Sequence, residues 1–98
     1  MIYVNVTYTI KPGMTGREFY NELLSEKVPE RVLENPGCIQ YDFSLPADGN
    51  NQIVFLFERW KDQESLDVHG AQEYRKIQLA LREKYCDNVE IKRFNESD

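Results

Sequence analysis

Between positions 2 and 11 apolar and polar residues change places at nearly every step. Ile2, Val4, Val6, Tyr8 and Ile10 fall on one side, and Tyr3, Asn5, Thr7 and Thr9 on the other. That is the period of a β-strand, carried by β-branched and aromatic residues. Pro12-Gly13 ends it. Thr15 and Glu18 then have the spacing of a capping box, in which Glu18 reaches back to the Thr15 N–H, with Met14 and Phe19 placed as a hydrophobic staple. The spacing of Phe19, Tyr20, Leu23, Leu24 and Val28 predicts a helix over residues 16–34, kinked or interrupted at Pro29 and stopped by Pro36-Gly37.

Ile39, Tyr41, Phe43 and Leu45 alternate as a second strand. The run PADGNN at 46–51 is a hairpin loop by composition. Residues 53–57 form a third strand, apolar on both faces and closed by Trp60. Asp62 N-caps a short helix carrying Leu66 and His69, Gly70 interrupts it, and a further helix is predicted over 71–85. Val89 and Ile91 mark a last strand over 88–94, and the tail NESD is expected to fray.

The order β-α-β-β-α-β predicts an α+β fold: a ferredoxin-like split β-α-β with a four-stranded antiparallel sheet and helices on one face. An ordered core over 2–94 of one 98-residue domain is expected. Such a sheet leaves its second face open, and the third strand is apolar there too. The expected cover is a second copy of the same sheet, hence a homodimer.

Composition narrows the classes of function. Net charge is −5 and charged residues make up 30 %. An acidic surface repels phosphate backbones and anionic lipid heads, so neither nucleic acid nor a membrane surface is an expected partner. Mean hydropathy is −0.64, and no apolar run approaches the length that crosses a bilayer. Two cysteines, Cys38 and Cys86, are too few for a disulfide framework, and no metal-ligand spacing is present. The first residues look like a strand and not a targeting peptide, so the cytoplasm is the expected compartment.

His69 is the only histidine, and its ordinary pKa suits a general base acting on an acidic hydroxyl or C–H. A histidine near a helix end that simply bonds a carbonyl is the plainer alternative. Glu58 and Trp60 stand two apart on a strand and so share a face. A carboxylate there needs a partner, either His69 or an arginine, and a structural ion pair is the plainer reading. Trp60 suits the floor of an aromatic-binding cavity or ordinary core packing. Asn5, Tyr41 and Tyr74 add groups able to bind a substrate. The glutamates recurring at every fourth position from Glu18 to Glu34 are interleaved with Arg17, Lys27 and Arg31 and make a solvated face.

The stretch from Val28 through Pro36-Gly37-Cys38-Ile39-Gln40-Tyr41, followed by Glu58-Arg59-Trp60-Lys61-Asp62, Leu66 and His69, resembles the antibiotic biosynthesis monooxygenase (ABM) family over about residues 2–94. The resemblance implies a dimeric α+β barrel with a cavity between helices and sheet. It implies cofactor-free oxygenation of a small electron-rich aromatic, such as a hydroquinone, with dioxygen as the second substrate and neither metal nor cofactor. On the family pattern His69 is the catalytic base, Glu58 its orienter or charge partner, and Trp60 the cavity wall. Two alternatives follow: an isomerase of a small carbonyl compound of the quorum-sensing-signal type, and a non-catalytic dimeric binding or stress protein. The family's haem-degrading pattern is not reproduced, since its strand Asn falls at Val6 and its Trp and His near His69 and Leu79. The polyketide-oxygenase Asn and Tyr fall at Leu56 and Leu66, and the second histidine of many members is replaced by Glu73.

Overall fold

A computed structural model describes residues 1–95. The eight elements are β1 (Ile2–Ile10), α1 (Gly16–Ser25), α2 (Val28–Leu33), β2 (Cys38–Ser44), β3 (Ile53–Trp60), α3 (Gln63–Gly70), α4 (Tyr74–Tyr85) and β4 (Cys86–Asn95). The four strands form one antiparallel sheet in the order β2-β3-β1-β4. This is the ferredoxin-like α+β plan that the element order predicts.

The alternation in β1 is realised as written. Val4, Val6, Tyr8 and Ile10 are buried, and Asn5 between them is exposed. Residues directly paired across a ladder share a face, so one inner row runs Tyr41, Glu58, Val4, Arg93 and the next Phe43, Leu56, Val6, Ile91. The helices cover this inner face, with Phe19, Leu23, Val28 and Val32 fully or almost fully buried against Val54, Leu56 and Trp60. Removing such side chains from water stabilises the fold by about 1.5–3 kcal/mol each.

The predicted helix over 16–34 is two helices, and the break comes at Lys27, before Pro29. A continuous helix would drive the Pro29 ring into the Ser25 carbonyl. The chain instead ends α1 at Ser25, turns through Lys27 at φ 58°, and restarts with Pro29 in the first turn of α2. There Pro needs no intrahelical N–H partner. At the other end, Thr15 Oγ1 accepts from Glu18 N at 3.1 Å, while the Glu18 carboxylate accepts from the Thr15 hydroxyl at 3.0 Å and not from its backbone N–H. Gly16 is obligatory at this start, since a Cβ there would sit 2.6 Å from Val54 Cγ2.

Two contacts seat α3, which carries His69. Asp62 Oδ1 accepts from Ser65 N at 2.8 Å and from Ser65 Oγ at 2.7 Å, fixing the N-cap. Ser65 in turn lies against Gly37, where any Cβ would overlap its side chain. α4 begins at Tyr74, three residues later than the pattern suggests, and β4 starts earlier, at Cys86, and runs through Asn95. Asn95 therefore belongs to a strand, and the rest of the expected frayed tail lies outside the described residues. Cys38 pairs opposite Trp60 and Cys86 opposite Ile10. These are opposite ends of the sheet, and both thiols are free.

Candidate active site

The end of β3 presents Glu58 and Trp60 on the inner face. Trp60 is fully buried, and its Nε1–H donates to Glu58 Oε1 at 2.9 Å. The Asp62 cap turns the chain directly into α3, which folds back over this strand end. The imidazole of His69 comes to rest against the indole, with ring centroids 4.7 Å apart and 34° between planes. His69 is 5 % exposed.

His69 is held from behind. Its Nδ1 lies 2.5 Å from Tyr74 Oη. The same phenol oxygen accepts from Asn35 Nδ2 at 2.8 Å, and that amide also donates to the Val32 carbonyl at 2.7 Å. Burial raises the Tyr74 phenol above its ordinary pKa, so it keeps its proton. With Asn35 donating to the oxygen, the phenol hydrogen has one acceptor among the described residues, His69 Nδ1. The arrangement that satisfies every group makes Nδ1 an acceptor and places the ring proton on Nε2. Burial first, and the charge of Arg75 second, push the His69 pKa down to about 4. The ring is neutral at pH 7 and offers an Nε2–H.

Glu58 is shifted the other way. Burial raises its pKa above the usual carboxylate range, opposed by the Trp60 hydrogen bond and then by the charges of Arg75 and Arg93. Glu58 and His69 line one cavity of about 80 Å³ between the sheet and α3–α4. Val4, Val6 and Leu56 floor it, and Leu66 adds an apolar wall. Trp60 stands behind the two polar groups and bonds to one of them.

The other sequence-derived candidates occupy different places. Tyr41 neighbours Glu58 in register and is 4 % exposed. Gln78 Nε2 donates to its phenol oxygen, and Arg75 Nη1 donates to Gln78 Oε1 at 2.6 Å. Burial raises the Tyr41 pKa well above the ordinary value, so this tyrosine is a neutral brace. Tyr74 likewise contacts His69 from behind and does not line the cavity. Asn5 is on the opposite face, in a shallow hollow with Phe55, Phe57 and Lys92, and so is not brought to Glu58 and His69. Arg59, the arginine next to Glu58 in sequence, also faces the open side, opposite Tyr3 and Gln40.

Sequence reasoning missed Gln78, Arg82 and Arg93, all of which line the cavity. The signals were present. Arg75, Gln78 and Arg82 have i, i+3, i+7 spacing, and Arg93 continues the inward alternation of Val89 and Ile91.

A one-sided ferredoxin-like sheet with a buried Glu–Trp–His group under its helices defines a small α+β pocket protein. The model of the antibiotic biosynthesis monooxygenase family matches residues 1–78, and the chain belongs to that family. A conserved protein from Methanosarcina mazei Go1 is 30 % identical, with 98 % of this chain and 92 % of that one aligned at a TM-score of 0.83. PA3566 from Pseudomonas aeruginosa (24 % identity, 99 % and 94 % covered, TM-score 0.80) shares the fold. So does a solved antibiotic biosynthesis monooxygenase (21 % identity, 100 % of both chains, TM-score 0.79). No curated protein matches the chain in sequence. Among the described residues, no helix is long and apolar enough to cross a membrane.

Proposed function

We propose that the protein is a cofactor-independent oxygenase of a small electron-rich phenol of the hydroquinone type. The observation that carries this reading is the pairing of a buried Glu58 of raised pKa with a neutral His69 on one small cavity with an apolar floor. Activating a hydroquinone toward dioxygen requires removal of a phenolic proton in a place that excludes water. We assign the base role to Glu58, because a carboxylate of raised pKa is a stronger base and His69 Nδ1 is already occupied by Tyr74. His69 Nε2–H then donates to the oxygen that becomes negative. This exchanges the roles that the family pattern implies for the two residues. The substrate supplies all the electrons: hydroquinone and dioxygen give hydroxyquinone and water, one oxygen atom entering the ring and the other leaving as water.

The protein as proposed works as a homodimer through its open sheet face. Phe55 and Phe57 are 43 % and 38 % exposed there, and Tyr3 and Phe94 share that face. The Nε of Arg59, on the same face, is buried without a hydrogen-bond partner, a group that a second copy can satisfy.

Oxygen uptake with a panel of substituted hydroquinones, with ¹⁸O₂ label followed into the product, tests the activity. Label in the quinone, and a loss of about 10²-fold or more in Glu58→Gln, are the expected results. Uptake no faster than the uncatalysed reaction for every quinol overturns the proposal. An isomerase would instead exchange a substrate C–H with solvent deuterium and consume no oxygen.

A further inference from the structure

The lining of the Glu58–His69 cavity carries more positive charge than proton transfer uses. α4 contributes Arg75, Gln78 and Arg82 from one helical stripe. β4 contributes Ile91 and Arg93, two apart and therefore on one sheet face. Arg93 pairs with Val4, and Val4 with Glu58, so the Arg93 backbone lies two strands, about 10 Å, from that of Glu58. The guanidiniums thus reach the cavity from two sides, helix and sheet edge. The β4 side is where the helix layer gives out: Ile91, on the inner face, is still 50 % exposed.

The plainest alternative is that these arginines are tied up in ion pairs with Glu58, and the geometry speaks against it. Among the described residues, no carboxylate lies within 4.0 Å of the guanidinium nitrogens of Arg75, Arg82 or Arg93. One Arg75 N–H donates to Gln78, and Arg82 and Arg93 make no side-chain hydrogen bond among the described residues. The lining therefore holds three cations against one carboxylate, in a chain whose net charge is −5. Cations gathered against the sign of the whole chain, at a concave site and without a carboxylate partner among the described residues, present N–H donors in the forked geometry that fits oxyanions.

We infer that the substrate carries an oxyacid group, a carboxylate or a phosphate ester, which Arg75, Arg82 and Arg93 hold at the β4 side of the cavity while its hydroxyl meets Glu58 and His69. Charge fixes that orientation, since the reverse pose would set the oxyanion against the Glu58 carboxylate. The inference rests on the phenol-activating reading for the hydroxyl end, but recognition of the anion is read by binding and needs no turnover.

Amide NMR shifts of the wild-type protein, titrated with hydroquinone, 2,5-dihydroxybenzoate and 4-hydroxyphenyl phosphate, give the three affinities. One of the two anions is expected to bind about tenfold or more tightly than hydroquinone, and which one does so names the group. The Arg82→Gln/Arg93→Gln double variant should bring the ratio to about one, and Arg82→Lys/Arg93→Lys should keep part of it. Hydroquinone binding as tightly as both anions, no measurable binding of either anion, or a preference that survives the Gln double variant overturns the inference. Arginine-dependent anion binding without oxygen uptake overturns the oxygenase reading alone. Quinol turnover without anion preference overturns this inference alone.

Discussion

Replacing Tyr74 by Phe removes one oxygen atom from the middle of the Asn35–Tyr74–His69 relay. The ring stays in its place, 6 % exposed, so no cavity larger than that atom opens. Two hydrogen bonds disappear, at 2.5 Å to His69 and 2.8 Å from Asn35. Asn35 keeps the Val32 carbonyl at 2.7 Å, whereas His69 Nδ1 becomes a buried acceptor without a donor. That loss costs about 1–3 kcal/mol. At about 2 kcal/mol, a domain of this size loses roughly 8–16 °C in Tm.

The pH dependence has a definite sign. His69 titrates at about 4 when folded, against 6.5 for the free side chain. Between those values the unfolded chain binds a proton that the folded chain does not. The His69 contribution is therefore full above pH 6.5 and is lost as pH falls toward 4, by up to about 1.4 kcal/mol per pH unit and about 3 kcal/mol in all. In Tyr74→Phe the donor that favours the neutral ring is gone and the folded pKa rises, so the acid loss is smaller. The stability difference between the two proteins is thus greatest at pH 7 and narrows toward pH 4. Denaturant unfolding across that range measures it. His69 is the only histidine, so one long-range ¹H–¹⁵N correlation reports its tautomer and titration without assignment. A wild-type ring titrating near 6.5, a dominant Nδ1–H tautomer, or equal stability of the two proteins at pH 7 refutes the reasoning.

Trp60→Phe removes the one side-chain hydrogen bond to the Glu58 carboxylate among the described residues, and that bond favours the charged carboxylate. The Glu58 pKa should rise further, moving the acid limb of the pH–rate profile to higher pH while stability falls by about 1–3 kcal/mol; an unmoved limb contradicts the base assignment. Phe57→Glu sets a charge on the open face without touching the cavity, and sedimentation should show wild-type dimers and variant monomers at micromolar concentration. A wild-type protein that sediments only at 11.6 kDa ends the dimer proposal.

The local signals were sufficient for the elements and their order. Alternation in β1, the Thr15 and Asp62 caps, the hairpin loop at 46–51 and the two-residue spacing of Glu58 and Trp60 depend on contacts within a few residues, which sterics and hydrogen-bond geometry dictate locally. The same period of two already put Asn5 on the face away from the core. What tertiary structure alone decided depends on residues far apart in the chain. Asn35 meets Tyr74 across 39 positions, and that meeting fixes the tautomer of His69 and so its chemical role. Arg82 and Arg93 look like ordinary surface cations in sequence, because nothing local says that the inner faces of α4 and β4 converge over Glu58. The shifts of Glu58 and His69 arise from burial, which no residue has until the sheet and helices close around it.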